Sequence, residues 1–136
     1  MFGKYRKRVL IVSFFLILAG GLFLVSAPKT VNANPLDEFL KQNNAAPEIA
    51  EAYRFAKENP QGVLSIVKCY CGCLTNGSKH KNNWHCFFND DGSIDLMGLN
   101  CGLCVKTALI SKQMLAEGKS VQEISDYVDT RWGRGD

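Results

Sequence analysis

The residues of this chain that can do chemistry are its six cysteines, which all fall between positions 69 and 104 of 136 residues. Thiolate sulfur binds soft metal ions such as zinc and copper(I), and pairs of thiols form disulfides. A chain that collects every thiol in one window is therefore expected to build a metal site or a disulfide framework. The thiols occur as a group of three, a single residue and a pair: Cys69, Cys71 and Cys73; Cys86; Cys101 and Cys104.

The first group favours a metal site. In an extended segment, residues i and i+2 point to the same side, so Cys69, Cys71 and Cys73 converge on one patch. Neighbouring Cys-x-Cys thiols are poorly placed to bridge each other, because a disulfide has strict torsional requirements. Gly72 would let the backbone fold closely around a bound ion. This spacing favours soft-metal binding over a disulfide framework.

The second pair and the histidines extend the candidate site. Cys101 and Cys104 lie on the first turn of a predicted helix, where unpaired N–H groups and the helix dipole stabilise thiolates. That environment suits a redox dithiol as well as half of a metal site. His80 lies six residues before Cys86 and is favoured as a further ligand over His85. The predicted ligands are Cys69, Cys71, Cys73, His80, Cys86, Cys101 and Cys104.

The number of ligands limits the kind of site. One closed tetrahedral zinc site uses four ligands. Seven soft ligands suit two sites that share a bridging thiolate, or a small copper(I)–thiolate cluster. We therefore expect a transition metal ion, zinc or copper(I), and leave its identity and stoichiometry open. An iron–sulfur cluster is disfavoured, because it would have to be built after export of an unfolded chain.

The first 33 residues have the pattern of a targeting segment. A basic stretch at 4–8 precedes an uncharged, mostly apolar run of 18 residues at 9–26, and small or modest side chains at 31–33 suit a signal peptidase. We expect residues 1–33 to be a signal peptide, or else an N-terminal membrane anchor through residues 9–26. Either alternative makes the rest of the chain extracytoplasmic.

The charge distribution argues against nucleic acid as a partner. The net charge is +3, but residues 1–33 hold five of the 16 Lys and Arg and no acid. Residues 34–136 hold 11 basic and 13 acidic side chains, without a basic stripe. A metal ion is the expected partner, and an envelope protein remains open as a second. No serine nucleophile elbow, phosphate loop or dinucleotide fingerprint occurs, so we expect no enzymatic activity.

The expected fold is mainly α, with about three helices wrapped around an irregular Cys-rich loop. A linker over 34–46 carries one short helical patch, and the Cys-rich domain follows over 47–133. Segments 86–88 and 93–97 flank a turn, so a short β-hairpin is an alternative for this region.

Start and stop signals define the three helices. The first is predicted over 47–59, beginning with a proline and ending before another. The second begins after an N-cap at Asn100 and ends near residue 117. The third begins at Ser120, whose spacing to Glu123 fits a capping box.

The motifs resemble those of a known family. Lys68-Cys-Tyr-Cys-Gly-Cys73 resembles the signature of the PCYCGC motif family of bacterial exported proteins and lipoproteins. His80 with Cys86-Phe, and Cys101-Gly-Leu-Cys104, are similar to the family's later motifs in the same order. The resemblance covers about residues 47 to 133.

The chain departs from that family in two ways. Lys68 replaces the leading proline, and no cysteine precedes Cys69 that could carry the lipid found on many members. His85 occupies a position without a ligand role in the resemblance. The resemblance implies an extracytoplasmic protein whose biochemical role is poorly defined.

Three functional hypotheses follow from these patterns. The first is an extracytoplasmic soft-metal-binding protein for the capture, buffering or delivery of copper(I) or zinc. The second is a disulfide-stapled interaction module, because six cysteines allow many pairings and the sequence does not choose among them. The third is a thiol–disulfide oxidoreductase using Cys101 and Cys104, although no thioredoxin-type strand precedes them.

Overall fold

The computed structural model describes residues 34–59, 62–72 and 80–133. The signal or anchor predicted at 1–33 and the ligand predicted at Cys73 lie outside these ranges. Over the described ranges the chain is mainly helical, which confirms the predicted fold class. No helix in those ranges is long and apolar enough to cross a membrane.

The described part of the chain contains five α-helices and two 3₁₀ turns. In chain order these are α1 (Pro35–Gln42), α2 (Pro47–Glu58), the turn Val63–Ser65, the turn Trp84–Cys86, α3 (Met97–Asn100), α4 (Gly102–Ala116) and α5 (Val121–Trp132).

The segment treated as a linker in the sequence contributes a helix to the core. Asn34 caps α1, because its side-chain oxygen accepts the Leu36 N–H at 3.2 Å. Leu36 and Leu40 lie one helical turn apart and are both buried. Arg54 of α2 binds Asp37 of α1 across the surface at 2.9 Å. The helical patch expected here is therefore a packed element of the domain.

The start of α4 differs from the predicted one. Asn100 is the last residue of the short α3 and does not cap α4. The backbone leaves helical geometry at Cys101, with φ −110° and ψ 92°. Cys101 is the N-cap, and its Sγ accepts the Cys104 N–H at 3.3 Å. The predicted cap is thus wrong by one residue, because a thiol takes the role that asparagine usually has.

The capping box at the start of α5 is confirmed. The Ser120 hydroxyl accepts the Glu123 N–H at 3.3 Å, and the Glu123 carboxylate accepts the Ser120 N–H at 2.8 Å. Ile124 and Val128 then lie fully buried on one face of α5.

The core lies where α4 packs between α2 and α5, with the turn Val63–Ser65 against both α4 and α5. Tyr53 of α2 meets Phe87 edge to face, with ring centroids 5.0 Å apart. Gly98 permits this contact, because a Cβ there would lie 2.6 Å from Phe87 Cδ1. The fully buried side chains include Tyr53, Ala56, Leu64, Val67, Phe87, Ala108, Ile124 and Val128.

The sequence allowed a short β-hairpin in this region. In the structure the two segments form one antiparallel bridge, between Phe88 and Ile94. Gly92, at φ 80°, lies in the turn that joins the two sides. The Tyr53 hydroxyl donates to the Asp95 carbonyl at 2.6 Å and fastens this segment to α2.

Candidate metal centre

Four sulfur atoms from three parts of the chain meet at one point. The Sγ atoms of Cys69, Cys71, Cys86 and Cys104 all lie within 4.8 Å of one another. Cys69 Sγ is 3.0 Å from Cys71 Sγ and 3.4 Å from Cys86 Sγ. Tetrahedral zinc with Zn–S bonds of about 2.3 Å requires neighbouring sulfurs about 3.8 Å apart. This four-sulfur group is therefore close enough to hold a metal ion.

Cys69 and Cys71 are positioned by a contact between their own segment and α5. The Lys68 Nζ lies 3.1 Å from Asp129 Oδ2, and the Tyr70 hydroxyl donates to Asp129 Oδ1 at 2.8 Å. Side chains 68 and 70 thus reach α5 while side chains 69 and 71 reach the four-sulfur group. This alternation is the one expected for i and i+2 residues. Asp129 consequently fixes the segment from both sides of Cys69.

Cys86 is held by the residues of its own 3₁₀ turn. The buried Asn83 donates its backbone N–H to the Val67 carbonyl at 2.9 Å and its side-chain amide to the Cys104 carbonyl at 3.3 Å. The Trp84 indole N–H donates to the Ala56 carbonyl at 3.1 Å. Asn83 therefore joins all three parts of the chain that supply the sulfurs, and Cys86 itself is fully buried.

Cys104 reaches the group from the first turn of α4, and Cys101 lies beside it. The Cys104 thiol donates to Cys101 Sγ at 2.6 Å. Cys104 is 1% exposed, whereas Cys101 is partly exposed. Cys101 does not belong to the four-sulfur group. It is a fifth sulfur at the edge of that group, on the solvent side of Cys104.

The close thiols shift one another's pKa in opposite directions. Hydrogen bonds from Cys104, Cys86 and Cys71 lower the pKa of Cys69 far below its usual value. The same bond to Cys69, together with the bond to Cys86 and burial, raises the pKa of Cys104. For Cys86 the bond with Cys104 lowers the pKa, but the bond with Cys69 and burial outweigh it and raise the value.

These shifts favour the thiolate form at Cys69, which shares the protons of its neighbours' thiols at the centre of the sulfur contacts. A metal cation can take the place of those shared protons, because thiols release their protons when they bind metal.

The two histidines have other partners. His80 is buried, and its Nε2 lies 3.5 Å from Asp95 Oδ2. Its Nδ1 is buried without a hydrogen-bond partner among the described residues. His85 Nδ1 contacts Asn82 Oδ1 at 2.8 Å, and its Nε2 contacts Asp90 Oδ1 at 2.7 Å. The bond from His85 lowers the pKa of Asp90.

Of the seven predicted ligands, the structure brings four within ligand distance of one another and sets a fifth, Cys101, against Cys104. His80 is not part of the four-sulfur group. The ligand role of His80 and that of Cys73 stay predictions. The positioning residues Asn83 and Asp129 were not found from the sequence, since neither belongs to a local motif.

The fold and the four-sulfur group define a small helical domain with a cysteine-rich site. The family model described as "Protein of unknown function with PCYCGC motif" matches residues 26–136, and the chain belongs to this family. No curated protein matches the chain, and no solved structure matches it either.

Proposed function

We propose that this protein binds a soft metal ion, copper(I) or zinc, outside the cytoplasm, and serves in the capture, buffering or delivery of that ion. One observation carries the proposal: four Sγ atoms from three separate segments lie within 4.8 Å of one another. A shared ion accounts for this meeting of distant segments, because binding of a metal ion by several segments is coupled to their folding.

The donor set supports a soft ion over a hard one. Among the described residues, the group contains sulfur ligands and no carboxylate or imidazole. Calcium and magnesium require oxygen ligands, whereas thiolates select copper(I) and zinc. Three of the four cysteines are buried, so a bound ion would be shielded from water. Shielding from water strengthens the attraction between a cation and thiolates.

The fifth sulfur supports transport or buffering rather than a fixed structural ion. A structural zinc site is closed by four ligands. Here Cys101 adds a partly exposed sulfur 2.6 Å from a buried member of the group. A spare ligand of this kind permits ions to enter and leave.

Metal analysis of the full-length chain, purified anaerobically, tests the proposal. Native mass spectrometry is expected to find about one equivalent or more of copper or zinc, released on denaturation with chelator. Thiol counting in denaturant should then find free thiols rather than disulfides. The matched variants are Cys86→Ser, which should lose the ion, and His85→Gln, which should keep it. Less than ~0.1 equivalent of metal with all sulfur oxidised would contradict the proposal and favour the stapled module.

A second candidate function, thiol–disulfide exchange, is favoured by the 2.6 Å contact between Cys101 and Cys104 at the start of α4. Helix starts of this kind carry redox dithiols. The test is reduction of insulin disulfides by the reduced protein. Activity that is lost in Cys101→Ser would establish this function, and its absence in the metal-free wild type would exclude it.

A further inference from the structure

We propose that Cys101 is the exchange ligand of the site, the sulfur that receives a soft ion from a small thiolate donor and passes it to Cys104. This inference rests on the proposed function and adds a route to it. Its substrate class is a metal ion coordinated by a low-molecular-weight thiol.

The burial of the sulfurs requires such a route. Cys69 is 5% exposed, Cys104 1% and Cys86 0%. A donor molecule cannot bring its own sulfur to an ion at the centre of these residues. Cys71 is partly exposed but belongs to the four-sulfur group, so releasing it opens the site. Cys101 is partly exposed and lies outside the group, and it can gain or lose an ion without dismantling the site.

The contact with Cys104 supplies the second step of the route. The two Sγ atoms are 2.6 Å apart, which lets both bind one ion at the same time. Cys101 caps α4, and its Sγ accepts the Cys104 N–H at 3.3 Å, so its position is set by the helix. An ion bound by Cys101 is therefore already within reach of the first buried ligand.

The surroundings of Cys101 admit a donor. The next residue, Gly102, is exposed, and a Cβ built there would meet nothing within 4 Å. The first turn of α4 also presents the positive end of the helix dipole. An anionic thiolate complex is favoured at such a place.

The transfer is a ligand exchange without oxidation or reduction. The bond from Cys101 Sγ to the ion forms as the bond from the donor sulfur breaks, and the proton of the Cys101 thiol passes to the departing thiolate. Cys104 then binds the same ion and gives up its own proton to solvent. The ion leaves Cys101 when the buried sulfurs complete its coordination.

The test measures transfer rates from the copper(I)–glutathione complex to the full-length protein by stopped flow, alongside the equilibrium affinity. Cys101→Ser is the informative variant, because serine keeps the N-cap but is a poor ligand for copper(I). We expect its transfer rate to fall about tenfold or more, with stoichiometry unchanged and affinity within about threefold of the wild type. Cys71→Ser, which removes a member of the group, should instead weaken the affinity by at least about tenfold.

The outcomes separate this inference from the proposed function. A wild type that takes up no metal refutes the proposed function and this inference with it. A metal-binding wild type with an unchanged rate in Cys101→Ser refutes the inference alone. An affinity loss in Cys101→Ser as large as that in Cys71→Ser also refutes it, because Cys101 would then be an ordinary ligand.

A second measurement uses the wild type and does not depend on how a variant folds. The metal-loaded protein is treated briefly with N-ethylmaleimide, and the modified positions are mapped by peptide mass spectrometry. Cys101 should be alkylated ahead of the buried Cys69, Cys86 and Cys104, and the species modified only at Cys101 should keep its ion. Loss of the ion on that single modification would overturn the inference.

Discussion

The helical frame, defined as α2, α4 and α5, and the cysteine loops, defined as residues 67–72 and 80–96, differ in how much regular structure holds them. In the frame, apolar side chains at helical spacing are buried between helices, as with Tyr53, Ala108 and Ile124. The loops contain one β-bridge and a single short 3₁₀ turn. They are fastened to the frame by the buried side chains of Val67 and Phe87 and by individual bonds, including those from Tyr53 and Asp129.

This difference shows how the site is assembled. Cys104 stands on the frame, whereas Cys69, Cys71 and Cys86 stand on the loops. The frame can gain stability from apolar burial alone, but the loops bring three thiols together on few backbone bonds. We therefore expect the frame to fold without metal and the loops to become ordered when an ion joins them to Cys104. The four predictions below test that division.

The largest effect is expected in the loops, from Cys86→Ser. Removing a fully buried ligand should weaken the binding of copper(I) or zinc by at least about 100-fold, more than changes around metal ligands usually cost. Competition titration with a chromogenic chelator measures the affinity. Far-ultraviolet circular dichroism should show that the helices remain. A large loss of the helical signal in this variant would mean that the frame and the loops fold as one cooperative unit.

A large effect on stability is expected in the frame, from Ile124→Ala. Ile124 is 0% exposed on α5, and truncation should lower the free energy of unfolding by about 2–5 kcal/mol. Chemical denaturation should give the same loss with and without metal, because no ligand of the site is changed. A loss confined to the metal-loaded protein would contradict the separation of the two regions.

The connection between the regions is tested by Asp129→Asn. This change weakens the bonds to Lys68 and Tyr70 on either side of Cys69 and should lower metal affinity by about tenfold. Asp126→Asn is the matched control, since Asp126 lies on the same helix and, among the described residues, accepts a hydrogen bond from the exposed Gln122 rather than from the loop. Equal affinities for the two variants would show that Asp129 does not position the loop.

The smallest effect is expected from Ser120→Ala. Loss of the N-cap should destabilise the frame by about 1 kcal/mol and leave metal affinity unchanged. Ser120→Asp keeps a capping oxygen and serves as the control. Thermal unfolding measures this effect. The midpoint temperature of the alanine variant should lie below the midpoint temperatures of the aspartate variant and the wild type.

The frame was largely predictable, because its signals are local. A proline at the start of α2 and the Ser120–Glu123 box mark helix ends through neighbouring atoms alone. The packing of α1 was not visible, since an eight-residue segment gains its stability from burying Leu36 and Leu40 against distant residues. The break at Cys101 was also missed, because asparagine is the commoner cap.

The site was predictable in composition and only partly in arrangement. The contact between Cys69 and Cys71 follows from the two-residue period of the backbone. The meeting of these residues with Cys86 and Cys104 depends on how α4 packs, which no local spacing encodes. The pairing of His80 with Asp95 joins residues 15 positions apart and has no sequence signal either.

The order of the cysteines along the chain also determines the order in which parts of the site can form. Cys69, Cys71 and Cys86 are synthesised before Cys104, and α4 becomes complete only at residue 116. Until α4 has formed, Cys69, Cys71 and Cys86 have no complete site to enter. Chaperones or small thiols that shield them during this interval would govern how much correctly assembled protein a cell obtains.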